Sequence, residues 1–156
     1  MRFNGQLLDS FQPSRGLRQG DPLSLYMFLF VAEALSLLLN DASASGAIQH
    51  FQLNRHALGI SHLLFADDSL LFFKGSLEQA LAIKHILTTY EEGTGQLLRP
   101  DKCSILFGKR CSMEDQVAIL VVLKITFDGF EDKYLGLPVP EGRMKAGNFS
   151  LQKIKR

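Results

Sequence analysis

Residues 61–73, SHLLFADDSLLFF, place two adjacent acids inside an otherwise apolar run. The run predicts a β-hairpin with Asp67 and Asp68 at its tip, because each apolar arm has the length of a short strand. Carboxylates are seldom placed in apolar stretches without partners, and adjacent like charges repel each other. We therefore expect a cation at the tip, and magnesium is the natural candidate. The alternative from this segment alone is a plain hairpin whose turn uses two common turn residues.

The composition is typical of one globular domain. The chain has 156 residues, of which 46% are hydrophobic and 21% are charged, and this balance is typical of a folded protein. We predict a single domain over residues 1–156. The formal net charge of +1 gives no general attraction to nucleic acid, so such binding depends on local patches. The basic segment 143–156 is either a phosphate contact or a solvated tail.

No feature of the sequence indicates export or membrane insertion. Cys103 and Cys111 match neither a zinc pattern nor a disulfide framework, which predicts free, packed thiols in a reducing compartment. The N-terminus lacks a signal-peptide pattern, and the most apolar segment, 25–39, is short for a membrane span and carries Glu33. We expect an intracellular protein, in the nucleus or the cytoplasm. The histidines show no ligand spacing and are expected to be ordinary residues: His50, His56, His62 and His85.

Turn and cap residues delimit the elements of the N-terminal half. The pair Asn4-Gly5 predicts a hairpin turn. Asp21 followed by Pro22 predicts the start of a helix that runs to about Asn40, and its nearly all-round apolar character predicts burial. A strand is expected at residues 48–53, ahead of the acidic hairpin.

The C-terminal half alternates helices and strands. Ser76 and Gln79 predict a capping box for a helix that ends at Gly93. Ser112 predicts the cap of a further helix. Residues 103–107 alternate as a strand that faces a core. With a short strand at 134–138, the order predicts an α+β fold, in which helices pack on one face of an antiparallel sheet.

Four segments, taken together and in order, resemble reverse transcriptase motifs. The combination resembles the polymerase of plant non-LTR (LINE-type) retrotransposons over nearly the whole chain. A group II intron-type polymerase is the runner-up, and the FADD and YLGLP forms favour the LINE type. The segments are residues 15–24 (RGLRQGDPLS), 65–68 (FADD), Gly95-Gln96 with Lys102, and 134–138 (YLGLP).

The resemblance implies a partial palm subdomain of a right-hand polymerase. Such an enzyme extends a DNA primer on an RNA template from deoxynucleoside triphosphates, by phosphoryl transfer with two Mg²⁺ ions. Asp67 and Asp68 match the catalytic, metal-binding positions, and Lys102 matches the lysine that protonates the departing pyrophosphate. No membrane partner is implied, and the oligomeric state is left open.

The resemblance also implies contacts to nucleic acid. The positions that match the template and nucleotide contacts lie in two segments, and a third segment matches the primer grip. The template and nucleotide positions are Arg15, Arg18, Gln19 and Gly20, with Phe65 and Ala66 leading into the acidic turn. The primer-grip positions are Tyr134, Leu135 and Gly136.

Departures from the family pattern bear on activity. Leu25 stands where plant relatives carry proline, and Arg99-Pro100 replaces the usual approach to Lys102 with a rigid turn. The family's further metal-binding aspartate belongs on a strand that precedes the Asn4-Gly5 hairpin, and neither that strand nor the fingers is found in these residues. We therefore expect these residues to be inactive alone. The alternatives are a catalytically dead nucleic-acid-binding remnant and a non-functional retroelement relic, whose palm sheet would expose an unpaired edge where the missing strand belongs.

Overall fold

The computed structural model describes residues 2–3, 6–7, 17, 20–52, 56–66, 68–126, 133–134, 137–138 and 149–155. Residues 2–3, 7, 133–134, 137–138 and 149–155 are described by their backbone alone. The chain divides into two units, Met1–Val31 and Ala32–Arg156. The strands are β1 (Arg2–Phe3), β2 (Gln6–Leu7), β3 (His62–Phe65), β4 (Asp68–Lys74), β5 (Ser104–Leu106), β6 (Lys133–Tyr134), β7 (Leu137–Pro138) and β8 (Phe149–Lys155). The helices are α1 (Pro22–Ala44), α2 (Leu77–Thr94) and α3 (Met113–Leu123), with a 3₁₀ helix at Pro100–Lys102.

The first unit begins with the predicted hairpin. Strands β1 and β2 pair antiparallel, with Arg2 opposite Leu7 and Phe3 opposite Gln6. This register is that of a two-residue loop, the connection that an Asn-Gly pair favours. The pairing confirms the hairpin, while the turn residues 4–5 lie outside the described residues.

Helix α1 begins as the sequence predicts. The Asp21 carboxylate accepts a hydrogen bond from the Leu23 backbone N–H at 2.9 Å, and Pro22 is the first helical residue. This arrangement satisfies one of the N–H groups that a helix start leaves without an intrahelical partner. The helix continues to Ala44, a full turn beyond the expected end at Asn40.

The expected burial of α1 is wrong. Of its residues, only Leu35 and Leu39 are buried, whereas Leu25 is 70% exposed and Phe30 is 72% exposed. An apolar sequence favours burial but does not itself supply the surface that covers it. Among the described residues, α1 is long and apolar enough to cross a membrane, with 23 residues, a mean hydropathy of 1.9 and 11% burial. Core helices and signal sequences can have the same length and hydropathy, so these two properties are weak grounds for a membrane span.

The main sheet lies in the second unit and is antiparallel throughout. Its strand order is β3-β4-β8-β5. Strand β4 pairs with β3 on one side, where Leu63 lies opposite Leu70, and with β8 on the other. The strand expected at residues 48–53 is instead a single bridge between Phe51 and Ile60, and residues 53–55 lie outside the described residues. The mixed helix and antiparallel-sheet composition of the predicted α+β class is confirmed.

The core of this unit lies between β4 and α2. Ser69, Leu71 and Phe73 alternate along one face of β4 and are completely buried. Helix α2 packs against β4 and α3, and its predicted apolar positions are buried, as for Ile83 and Tyr90. The helical spacing read from the sequence therefore identified the correct face.

The predicted caps have mixed outcomes. Ser112 accepts a hydrogen bond from the Asp115 N–H at 3.1 Å, which confirms it as the cap of α3. Ser76 precedes α2, but its side chain makes no capping bond, so the predicted capping box is wrong. Helix α2 ends at Thr94 and is capped by Gly95, with φ 70°, so the predicted stop at Gly93 is wrong. A helix stop of this kind requires a left-handed residue, and Gly93 remains within the helix.

Strand β5 is buried on both faces where it begins. Cys103, Ser104 and Ile105 are all buried, and successive strand residues point to opposite faces. The expected strict alternation of core and surface is therefore wrong here. Cys103 and Cys111 are buried and free of disulfides, as predicted. Burial, with the nearby Asp115 charge, raises the pKa of the Cys111 thiol.

Candidate functional site

The acidic hairpin forms as predicted and turns through a strained residue. Phe65 is the last residue of β3 and lies opposite Asp68, the first residue of β4. Between them, Ala66 has φ 48°, a left-handed conformation that costs a residue with a Cβ about 1 to 2 kcal/mol. Asp67 lies outside the described residues. Strain of this kind persists where the surrounding structure enforces it, often at functional sites.

The two faces of this hairpin have different surroundings. Leu63 is 47% exposed and Phe65 is 59% exposed, whereas Leu71 and Phe73 on the other face are completely buried. Directly opposite residues of an antiparallel pair share a face, so Asp68 belongs to the face of Phe65. The acid at the start of β4 therefore lies on the same face as the exposed Phe65, here called the open face, on which Leu70 of β4 is nevertheless buried.

Asp68 carries an unsatisfied oxygen. Its Oδ1 atom is buried and has no hydrogen-bond partner among the described residues. A buried polar atom without a partner costs about 1 to 3 kcal/mol, and more for a charged group. A hard cation such as Mg²⁺ takes carboxylate oxygens as ligands, so this atom fits such an ion. Within the described part of the chain, no group of three or more His, Cys, Asp or Glu residues lies close enough to hold a metal.

Strand β8 covers the second edge of the acid-bearing strand. It pairs with β4 along its whole length, from Asp68 opposite Lys155 to Lys74 opposite Phe149. The C-terminal segment therefore supplies the second hydrogen-bonding partner of β4, and β3 and β5 are the outer strands of this sheet among the described residues. For residues 149–155, the alternative of a solvated tail is wrong, since these residues form a strand inside the sheet.

Lys102 lies at the end of the rigid turn that the sequence predicts. Pro100 opens the 3₁₀ helix, and Lys102 closes it and is exposed. Arg99 and Asp101 form an ion pair of 2.8 Å, which raises the pKa of the arginine and lowers the pKa of the aspartate. The turn leads into β5, which is separated from β4 by β8.

The remaining predicted contacts are described in part. Gly20, in the N-terminal unit, has φ 86° with open space around its Cα. It is therefore required for its backbone conformation, whereas the sequence predicts a close approach of the backbone to a ligand.

Tyr134 pairs with Leu137 in a two-stranded hairpin of β6 and β7, so the expected single strand at 134–138 is two strands. Arg15, Arg18, Gln19, Leu135 and Gly136 lie outside the described residues.

His62, for which the sequence predicts no special role, bridges β3 and α1. Its Nε2 atom lies 2.9 Å from Ser36 Oγ, and its Nδ1 atom lies 2.8 Å from Ser61 Oγ. Burial lowers the pKa of His62, and the charge of Glu33 opposes that shift. No local pattern reveals this cluster, because the contact between Ser36 and His62 depends on the tertiary fold.

Gln79 has a different role from the one predicted. Its buried Oε1 accepts hydrogen bonds from the backbone N–H groups of Lys74 at 2.9 Å and Gln49 at 3.1 Å. Gln79 thus ties the end of β4 to the segment before β3, and it does not cap its own helix. Spacing alone identifies the residue but not the partners of its side chain.

Comparison with known proteins places the chain in a family. A sequence profile described as reverse transcriptase (RNA-dependent DNA polymerase) matches residues 1–139. This span is most of the chain, and the protein therefore belongs to the reverse transcriptase family.

A curated relative is known from a plant. The chain is 46% identical over 67 residues to an uncharacterized mitochondrial protein of Arabidopsis thaliana. The alignment covers 43% of this chain and 55% of the relative, so the chain spans about half the length of the curated relative it matches. No solved structure matches significantly.

Proposed function

We propose that the chain is palm sequence of a LINE-type RNA-directed DNA polymerase, which extends a DNA primer on an RNA template. Family membership supplies the reaction class. The observation that supports the site most directly is Asp68, whose buried Oδ1 lacks a partner among the described residues, beside a strained turn on the open face. The FADD and YLGLP segments support the LINE type.

In this proposal Asp67 and Asp68 hold Mg²⁺, with two ions present in a complete enzyme. Magnesium held by these acids would supply Lewis-acid activation of the primer 3′ oxygen and charge neutralisation of the leaving pyrophosphate. Of the acid pair, the described Asp68 would contribute its carboxylate from the start of β4, two residues after the left-handed Ala66. Lys102 supplies a proton to the departing pyrophosphate as a general acid.

The open face is proposed to contact the primer and template. Phe65 is exposed on that face, and an exposed aromatic ring can stack on a base. Lys153 and Lys155 occupy register positions opposite Leu70 and Asp68, which adds positive charge for phosphate groups. The further proposed contacts are Arg15, Arg18, Gln19 and Gly20 for template and nucleotide, and Tyr134, Leu135 and Gly136 for the primer end.

We also propose that these 156 residues alone do not catalyse polymerisation. Phosphoryl transfer depends on the electrostatic stabilisation that a complete metal site provides, and the further metal-binding aspartate that the resemblance implies is not found in these residues. A nucleic-acid-binding module without catalysis is the second candidate function. The exposed Phe65 and the lysines of β8 favour it.

Fluorescence anisotropy with a labelled RNA–DNA hybrid tests the proposal. The chain is expected to bind the hybrid more tightly with Mg²⁺ than without it, and more weakly as salt concentration rises. Asp68→Asn should remove the magnesium dependence, while Asp41→Asn, at an exposed acid of α1, should leave it unchanged. Failure to bind the hybrid at low salt, in a chain that unfolds cooperatively, would contradict both candidate functions.

A primer-extension assay separates the two candidates. The wild-type chain is expected to give no extended product with deoxynucleoside triphosphates and Mg²⁺, even where it binds the hybrid. Extension that disappears in Asp68→Asn would overturn the proposed inactivity and establish catalysis by these residues.

A further inference from the structure

A histidine of β3 links the acidic hairpin to helix α1. The Nε2 atom of His62 lies 2.9 Å from Ser36 Oγ, and its Nδ1 atom lies 2.8 Å from Ser61 Oγ. Serine hydroxyls both donate and accept hydrogen bonds, so either tautomer of the neutral ring satisfies both contacts. Ser36 belongs to α1 and lies 26 positions before His62 in the chain. The side chain of His62 therefore makes a tertiary hydrogen bond that joins β3 to a helix.

Strand β3 is held by fewer neighbours than β4. In the sheet order β3-β4-β8-β5, β4 has a partner on both sides, whereas β3 has β4 as its one neighbour among the described strands. The side chains of Leu63 and Phe65 are 47% and 59% exposed, so they give β3 little further hold. His62 lies opposite the completely buried Leu71 and shares its face. The histidine therefore anchors β3 through the buried face of the hairpin.

The turn between the two arms of the hairpin depends on such anchoring. Ala66, with φ 48°, lies between Phe65 at the end of β3 and Asp68 at the start of β4. A left-handed residue that carries a Cβ persists where the surrounding structure enforces it. Pairing with β8 holds the β4 arm, and the contact between His62 and Ser36 holds the β3 arm. Loss of that contact frees one arm of the turn and leaves the other in place.

We propose that His62 is a positioning residue for the candidate metal site, because its hydrogen bond to Ser36 fixes the β3 arm and thereby the position of the Asp68 carboxylate. This inference rests on the proposed metal-binding function of Asp68. Since side chains alternate along a strand, His62 lies on the opposite face of the sheet from the acid. It acts through the backbone of β3 and the turn at Ala66.

Isothermal titration of the whole chain with Mn²⁺ tests the proposal with a matched pair of variants. His62→Gln puts an amide nitrogen near the position of Nε2 and keeps the reach to Ser36, whereas His62→Asn puts one near Nδ1 and reaches only Ser61. His62→Asn should weaken Mn²⁺ binding about threefold to tenfold, the change in an equilibrium constant that loss of one hydrogen bond produces. His62→Gln should stay within about twofold of the wild type, and Ser36→Ala should weaken binding as much as His62→Asn.

A stability control separates positioning from a general loss of structure. Gln79→Ala removes the acceptor of two backbone N–H groups at the other end of β4. It should destabilise the chain but leave the Mn²⁺ dissociation constant within about twofold of the wild-type value, since the two ends are distant. Equal Mn²⁺ affinities of His62→Asn and His62→Gln would overturn the proposal, as would an equal weakening by Gln79→Ala. If His62→Asn does not fold, Ser36→Ala takes its place in both comparisons.

Asp68→Asn shows whether a failure belongs to this inference or to the proposed function. If Asp68→Asn and the wild type bind Mn²⁺ equally, the metal site itself is wrong, and hydrogen exchange then decides about His62. Faster exchange over residues 60–70 than over residues 80–90, in Ser36→Ala and His62→Asn but not in His62→Gln, would support the anchoring of the hairpin. Unchanged exchange over residues 60–70 in all three variants would overturn it.

Discussion

The two ends of β4 differ in how completely their polar groups are provided with hydrogen-bond partners. At the Lys74 end, Gln79 accepts the backbone N–H, and the neighbouring Phe72 ring stacks on Phe51 with centroids 5.6 Å apart. At the Asp68 end, the strand follows the strained turn at Ala66. Here the Oδ1 atom of Asp68 lacks a hydrogen-bond partner among the described residues. One end is organised for stability, whereas the other retains an unsatisfied acid that a ligand can use.

The largest expected effect separates two phenylalanines of the same hairpin. Phe73→Ala should destabilise the protein by about 4 kcal/mol, because it leaves a cavity in the core. Phe65→Ala is the matched control and should change the free energy of unfolding by less than about 0.5 kcal/mol, since the ring is 59% exposed. Urea unfolding measures both changes. Similar losses in the two variants would show that the faces do not differ as described.

The next effect concerns Gln79, at the packed end of β4. Gln79→Ala should cost about 2 kcal/mol, because the backbone N–H groups of Lys74 and Gln49 lose their acceptor. Ser76→Ala is the control and should cost less than about 0.5 kcal/mol, since the serine makes no capping bond. Thermal unfolding distinguishes them. A larger loss in Ser76→Ala would restore the capping box that the sequence predicts.

A smaller effect is expected at the turn of the acidic end. Ala66→Gly should stabilise the chain by about 0.5 kcal/mol, because relief of the left-handed strain exceeds the entropic cost of glycine. Gly93→Ala tests the opposite substitution inside α2, where alanine should also stabilise, by up to about 1 kcal/mol. A large destabilisation by Ala66→Gly in urea unfolding would contradict the left-handed conformation.

The smallest effect is a pH dependence at His62. Burial lowers the pKa of this histidine below its ordinary value of 6.5, so the unfolded chain binds the proton more readily. Stability is then complete above pH 6.5 and falls as the pH drops toward the folded pKa. His62→Gln should reduce this fall between pH 7.5 and 5.5, whereas His85→Gln, on the exposed face of α2, should not. Equal pH profiles for wild type and His62→Gln would contradict the assignment.

Local patterns predict much of this fold, and long-range pairing explains what they miss. The acidic hairpin, the Asp21 cap and the buried face of α2 all depend on residues close in sequence, and the structure confirms them. The strand at 149–155 pairs with residues some eighty positions earlier. The sequence leaves the basic segment 143–156 open as either a phosphate contact or a solvated tail, because a single sequence does not reveal a distant partner.

The sequence predicts the local features of the candidate site but not its tertiary contacts. The hairpin follows from the acidic pair within an apolar run, but the sequence predicts both acids at its tip, whereas the structure makes Asp68 the first residue of β4. The orphaned Oδ1 atom, the position of Lys155 opposite Asp68 and the bridge from His62 to Ser36 require tertiary structure. The roles of Lys102 and of residues 134–136 stay predictions.

Paramagnetic NMR with Mn²⁺ tests the difference between the two ends of β4 most directly. A bound Mn²⁺ ion broadens the signals of nearby amides. If the Asp68 end of β4 holds the ion, the signals of residues 65–69 should be lost selectively and those of residues 73–76 retained. Asp68→Asn should abolish the selective loss. Uniform broadening of both ends, or the same selective pattern in Asp68→Asn, would contradict the claim that the acidic end of β4 holds a divalent cation.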